Sequence, residues 1–146
     1  MADPYKTKKA HYIVYTHKKT VRARVVAVLK GSIEGRGIEL IYPASRAVRK
    51  GEIFEMICTP DLDAGPGKRI DSVTYLGFLE VEDGGVLLVE DIVRMGGKPI
   101  GVIIGFDETH FPNHQNIVLK PVKGIDIKKI ELLLDSILEF VMPGTK

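Results

Sequence analysis

The densest group of chemically active side chains in this sequence lies between Asp107 and Asn116. Two of the four histidines, two adjacent carboxylates and several side-chain amides share these ten positions, and apolar segments flank them. Imidazole and carboxylate groups are the usual metal ligands and proton carriers of proteins. The residues predicted to contact a ligand are Asp107, Glu108, His110, Asn113, His114 and Asn116.

His110 and His114 are four positions apart, which on a helix would place both on one face in a common metal-binding arrangement. Pro112 lies between them and disfavours a helix, so we expect a loop. With Asp107 or Glu108 as the oxygen ligand, the two histidines would form a set suited to zinc or ferrous iron. The metal set predicted here is His110, His114 and Asp107, and such a metal would activate water or polarise a substrate.

Two other interpretations remain open at this level. Asp107 could orient His110 as a general base without any metal. Alternatively, Asp107, Thr109 and Asn113 only satisfy backbone groups and hold the turn together. The polar segment 59–69 would bring Lys68 and Arg69 to an anionic ligand if it folded over the loop.

The elements that must position this loop are short and β-prone. Alternating apolar residues interrupted by glycine and proline are typical of small barrels and sandwiches. We predict an all-β or β-rich α+β fold, a small closed or partly open β-barrel with one or two short helices, at 43–49 and within 127–138. The predicted strands are 12–16, 20–29, 38–41, 52–58, 71–80, 86–89, 100–106, 116–120 and a closing strand near 136–141.

The 146 residues suit one domain, predicted as residues 11–142 after a basic tail of residues 1–10. Hydrophobic content of 45% with 27% charged residues is typical of a globular protein, and no apolar run is long enough to span a bilayer. Residues 1–10 hold no stretch of signal-peptide type, so we expect a cytoplasmic protein. The single Cys58 excludes an internal disulfide, and its apolar surroundings indicate a buried, inert thiol.

Charge is distributed unevenly, because residues 1–30 carry a balance of +7 within a chain of net charge +2. A basic arm is an alternative route to nucleic acid or an acidic partner. No aromatic residues are interleaved for base stacking in the strand 20–29, which disfavours nucleic acid. A small polar or anionic ligand is the preferred partner, no membrane is expected, and edge strands are compatible with a homo-oligomer.

The segment Glu90–Gly97, the apolar run 100–105 and the loop through His114 to Asn116 together resemble the glucitol/sorbitol-type IIA component of the sugar phosphotransferase system. This resemblance covers residues 86–119 and implies a barrel fold. That family's phosphoacceptor histidine would align near residues 73–79, which contain no histidine, so the resemblance does not imply phosphotransfer here. The chain also resembles a small prokaryotic family of uncharacterised proteins that share the segment Gly105–His110, which implies no activity.

Overall fold

The computed structural model describes residues 14–61 and 63–144. This part of the chain contains no α-helix and only one 3-10 turn, at Ile127–Lys129. Its strands are β1 (Val21–Val28), β2 (Ser32–Ile33), β3 (Ile38–Glu39), β4 (Ser45–Val48), β5 (Ile53–Cys58), β6 (Arg69–Ile70), β7 (Val73–Asp83), β8 (Gly85–Leu88), β9 (Ile92–Met95), β10 (Lys98–Asp107), β11 (Gln115–Pro121) and β12 (Ile137–Val141).

Seven of these strands close into a barrel, which confirms the predicted fold class. Their order is β1, β12, β9, β10, β11, β5 and β7, and β7 then pairs with β1. All of these pairs are antiparallel except β5 with β11, which run parallel. Because β1 pairs with β7, neither edge of the barrel wall is left unpaired in the part of the chain that the structure describes.

Alternation along each strand decides which side chains fill the barrel. On β5, Phe54, Met56 and Cys58 belong to the interior core, whereas Glu55 and Ile57 point to the outer wall. Cys58 has no exposed surface, and burial raises its thiol pKa to about 12. The prediction of a buried thiol is therefore confirmed, and at neutral pH the nucleophilic thiolate is scarce.

A second, smaller apolar cluster lies on the outer wall. Its buried members are Ile38, Leu40, Ile57, Ile70, Val73, Ile104 and Val118. Strands β3 and β6 pair with each other and lie over β5, β10 and β11 through this cluster. We call the two segments that carry these strands, residues 34–42 and 65–70, the flap, and its attachment includes the bond from Ile41 N to Phe106 O of 2.9 Å.

Both predicted helices are wrong. Residues 43–49 contain strand β4, which pairs with β8 and buries Val48, because a segment this short gains more from sheet pairing than from an isolated helical turn. In 127–138 the periodic apolar residues give only the 3-10 turn Ile127–Lys129, in which no residue is buried. The closing strand is confirmed as β12.

Strands β7 and β8 are consecutive in the chain but do not form a hairpin. After Gly84, β8 leaves β7 and pairs with β4. The basic tail of residues 1–10 and its partner interactions lie outside the described residues, as do the first two residues of the predicted strand 12–16. The other three, Val14–Thr16, form no strand. Among the described residues, no helix has the length and apolar character required to traverse a membrane.

Candidate metal centre

The loop between β10 and β11 is built from successive turns. Phe111 N donates to Glu108 O at 3.0 Å, and Asn113 N donates to His110 O at 2.9 Å. These residues form no helix, as expected from the proline at position 112. The turns reverse the chain, so that the loop lies against the outer wall of the barrel.

The wall beneath the loop carries a row of outward-facing side chains from four neighbouring strands. Pairing places Asp107 of β10 opposite Asn116 of β11, Asn116 beside Glu55 of β5, and Glu55 opposite Phe78 of β7. Adjacent strands are about 4.8 Å apart, so neighbouring members of this row are within contact range. The row is largely buried: Asp107 is 1%, Asn116 3% and Glu55 6% exposed.

Asp107 uses its carboxylate to hold the loop. Its Oδ1 accepts hydrogen bonds from Thr109 N at 3.2 Å and Thr109 Oγ1 at 2.6 Å, and its Oδ2 accepts from Asn116 Nδ2 at 2.8 Å. Both oxygens are thus committed to protein donors. Asp107 takes the turn-stabilising role, and it is absent from the histidine cluster described next.

His114 connects the loop to the barrel wall. Its Nε2 lies 3.0 Å from Glu55 Oε1, and its ring meets the Phe78 ring edge-on with centroids 5.0 Å apart. Asn113 Nδ2 lies 2.8 Å from His114 Nδ1. Because an amide NH₂ group only donates, Nδ1 accepts and the ring proton lies on Nε2, facing the carboxylate. The side chains of His114 and Glu55 are only 9% and 7% exposed.

His110 lies above this pair on the solvent side. Its ring stacks on that of His114 with centroids 5.0 Å apart and an interplanar angle of 28°. Its Nε2 lies 3.2 Å from Nη2 of Arg36, which comes from the flap. Since a guanidinium can only donate, His110 Nε2 presents a lone pair toward this positive charge.

The loop, the wall and the flap therefore bring together a potential ligand set. One ligand atom each from Glu55, His110 and His114 lie within 4.8 Å of one another. Both predicted histidines are in this set, whereas the carboxylate comes from β5 rather than from Asp107 or Glu108. Glu108 is exposed and belongs to no such group among the described residues.

The remaining predicted residues lie around the set. Asn113 contacts His114, and Asn116 contacts Asp107. The Oδ1 atom of Asn116 is buried and accepts no hydrogen bond from the residues that the structure describes. In the segment 59–69, Arg69 pairs with Asp71 at 3.2 Å and lies against Gly37 of the flap.

Sequence reasoning missed Glu55 and Arg36. A signal for Glu55 was present, because it is the one charged residue inside the apolar run Phe54–Cys58, and a carboxylate is seldom buried without a partner. Arg36 had no such signal, since its position between two glycines is typical of any exposed turn. Its neighbour depends on how the flap lies on the barrel.

Comparison with protein-family models gives a match over most of the chain. The model of DUF6917, described as a family of unknown function, matches residues 15–141. Neither the curated proteins nor the solved structures contain a match. The predicted relation to an uncharacterised family agrees with this result, and the resemblance to the glucitol/sorbitol-type IIA component receives no support from it.

Proposed function

We propose that this chain, which belongs to the DUF6917 family of unknown function, binds a divalent transition-metal ion through Glu55, His110 and His114. Zinc is the preferred ion and ferrous iron the alternative. The proposal is carried by one observation, the approach of these three ligand atoms to within 4.8 Å of one another. Two imidazoles and one carboxylate are a ligand set that both ions use.

The electrostatics of the cluster support a cation. The Glu55 carboxylate is buried on the wall side, and the lone pair on His110 Nε2 already faces the guanidinium of Arg36 at 3.2 Å. A positively charged group thus lies on a potential ligand nitrogen. A bound metal ion would take the place of the guanidinium there, so the site already accommodates a positive charge at that position.

The geometry requires a modest contraction. Ligand atoms about 2.1 Å from zinc are about 3.4 Å apart in a tetrahedron, so the loop would close by up to an ångström or two. His114 is already 3.0 Å from Glu55, which leaves His110 on the exposed face of the loop to move most. Asn113 fits the bound state as well, because its amide can turn over and accept a bond from a protonated Nδ1 of His114.

Three protein ligands leave a coordination position open. His110 is exposed, so this position would face solvent at the edge of the flap. A metal there supplies Lewis acidity and an acidic bound water, which is the basis of the enzyme form of the proposal, a metal-assisted hydrolytic reaction.

Elemental analysis tests the proposal directly. Purified protein would be stripped with a chelator, reloaded with zinc, dialysed and measured beside a sample reloaded with ferrous iron under anaerobic conditions. We expect one metal ion per chain. Absence of stoichiometric metal after both reloadings would overturn the proposal.

Matched variants locate the site. Glu55→Gln and His114→Ala should lose the bound zinc, because each removes one of three ligands. Glu108→Gln removes a carboxylate from the same loop, and His17→Ala removes an exposed histidine elsewhere; both should retain it. Circular dichroism of each variant establishes that it is folded. Zinc retained in Glu55→Gln and lost in Glu108→Gln would assign the carboxylate ligand to the loop instead.

A further inference from the structure

Arg36 lies at the open side of the candidate metal centre and is held there by its backbone. Its N–H donates to Asp71 O at 3.0 Å, and the N–H of Gly37 donates to Asp71 Oδ1 at 3.2 Å. Gly35 and Gly37 both have φ of +68°, in the left-handed region that favours glycine, so the turn projects a single long side chain between them. The guanidinium reaches His110 from this fixed base.

The partner of this guanidinium is unusual for the chain. Five other arginines pair with carboxylates, namely Arg22, Arg24, Arg46, Arg69 and Arg94. Arg36 pairs with no carboxylate among the described residues and donates to an imidazole instead. Its charge is therefore not neutralised by the protein, although it is partly buried beside the ligand set.

A metal ion bound through His110 Nε2 would compete with Arg36 for the same lone pair. His110 Nε2 has one lone pair, and it cannot serve both a metal and the guanidinium of Arg36. Metal binding would displace the guanidinium, while the bonds from Arg36 and Gly37 to Asp71 keep its base in place. The result is two positive groups at one opening: the metal, whose charge Glu55 neutralises only in part, and the displaced arginine.

We propose that Arg36 and the metal together bind a small oxyanion, a phosphate or a carboxylate, with one oxygen on the metal and another on the guanidinium. Such a bridge satisfies both positive groups, and the planar fork of arginine suits an O–X–O edge. This inference rests on the proposed metal site and names the class of ligand that would occupy its open position.

Linkage gives the proposal a signature that a structural role of Arg36 would not produce. Without an anion, Arg36 competes with the metal, so Arg36→Gln should bind the metal at least as tightly as the wild type. With a saturating anion, Arg36 contributes to the ternary complex, so the wild type should bind the metal more tightly than the variant. Coupling between two ligands is reciprocal, so the anion should also bind the metal-loaded wild type more tightly.

The test uses cobalt(II), whose visible spectrum reports the ligands of the ion, as a substitute for zinc. Cobalt would be titrated into the wild type and Arg36→Gln, without added anion and then with inorganic phosphate or acetate. We expect Arg36→Gln to weaken anion binding to the loaded protein about 10-fold or more, as for loss of a charge-assisted hydrogen bond. Arg36→Lys keeps the charge but not the planar fork, so its affinity for the anion should lie between those of the wild type and Arg36→Gln.

Arg49→Gln is the matched control, since Arg49 is an exposed arginine in the turn before β5, and it should behave as the wild type. If only the binding of phosphate depends on Arg36, the ligand is of the phosphate type; if only the binding of acetate does, the ligand is a carboxylate. Either result supports the proposal. Equal anion binding by the wild type and Arg36→Gln, with cobalt bound in both, would overturn this inference and leave the metal site standing. Absence of cobalt binding in both would overturn both proposals.

Discussion

At the scale of single residues, the carboxylate that contacts the histidines is not the one nearest to them in sequence. Asp107 is adjacent in sequence to the histidines but spends both oxygens on Thr109 and Asn116. Glu55 is 59 residues from His114 and supplies the oxygen that meets it. Strand alternation explains this, because the residues on either side of Glu55 in β5 face the core and Glu55 therefore faces outward.

The anchoring role of Asp107 predicts a stability effect distinct from that of a ligand. In Asp107→Asn, one oxygen becomes an NH₂ group that faces a donor, either on Thr109 or on Asn116. We expect a loss of about 1–3 kcal/mol in the free energy of unfolding, measured by urea denaturation. Glu108→Gln, an exposed change one residue away, should stay within about 0.5 kcal/mol of the wild type. Equal stability of the two variants would contradict the anchoring role.

At the scale of elements, most strands could be read from the sequence and their pairing could not. Short β-prone runs separated by glycine and proline located β1, β5, β7, β10 and β11 within a few residues. Such runs say nothing about which strand lies beside which. The parallel pairing of β5 with β11 joins distant segments, and it is this pairing that places Glu55 beneath the histidine loop.

The seam between β1 and β7 gives a prediction about barrel closure. A Cβ at Gly77 would collide with the backbone carbonyl of Ala27, which a strand in a closed wall cannot easily move away. Gly77→Ala should therefore lower the free energy of unfolding by about 1–3 kcal/mol, as for other overpacked sites. Thermal and urea unfolding would measure the loss.

Gly65→Ala is the matched control for this seam. A Cβ at Gly65 would meet no atom within 4 Å, and its backbone is not in the left-handed region. We expect little change in its stability. If Gly77→Ala were as stable as Gly65→Ala, the β1–β7 contact would have adjusted to the added methyl group. This result would contradict the prediction.

At the scale of the whole molecule, a buried ion pair joins the chain entering β1 to the turn before β9. Lys18 Nζ lies 3.0 Å from Asp91 Oδ2, and the two side chains are 4% and 0% exposed. Burial raises the pKa of Asp91, although a bond from Leu88 N and the ammonium of Lys18 both lower it. Desolvation thus outweighs the pairing, as is common for ions removed from water.

This balance predicts a pH-dependent cost for removing Lys18. Lys18→Met leaves Asp91 without its counter-ion, so its folded-state pKa should rise further above the unfolded value of about 3.9. A carboxyl with a raised folded pKa stabilises the fold below the unfolded pKa and loses that contribution as pH rises through the folded pKa. The free energy of unfolding of Lys18→Met should therefore fall further below that of the wild type as the pH rises from 4 to 7. At pH 7 the difference should approach about 3–5 kcal/mol.

Urea denaturation at several pH values would measure this deficit. Lys19→Met removes the neighbouring, exposed lysine and should show little deficit at any pH. A deficit of Lys18→Met that does not change between pH 4 and pH 7 would contradict the assignment of the effect to Asp91.

The sequence by itself determined the fold class, the buried state of Cys58 and the position of the histidine loop. Each of these follows from local properties: the two-residue period of strands, the apolar neighbours of a thiol, and the inability of Pro112 to continue a helix. Local properties also pointed to Asp107 rather than Glu55 as the carboxylate beside the histidines, because they measure distance along the chain. Only the tertiary structure placed Glu55 and Arg36 at the histidines, since strand register and the position of the flap are set by the packing of the whole barrel.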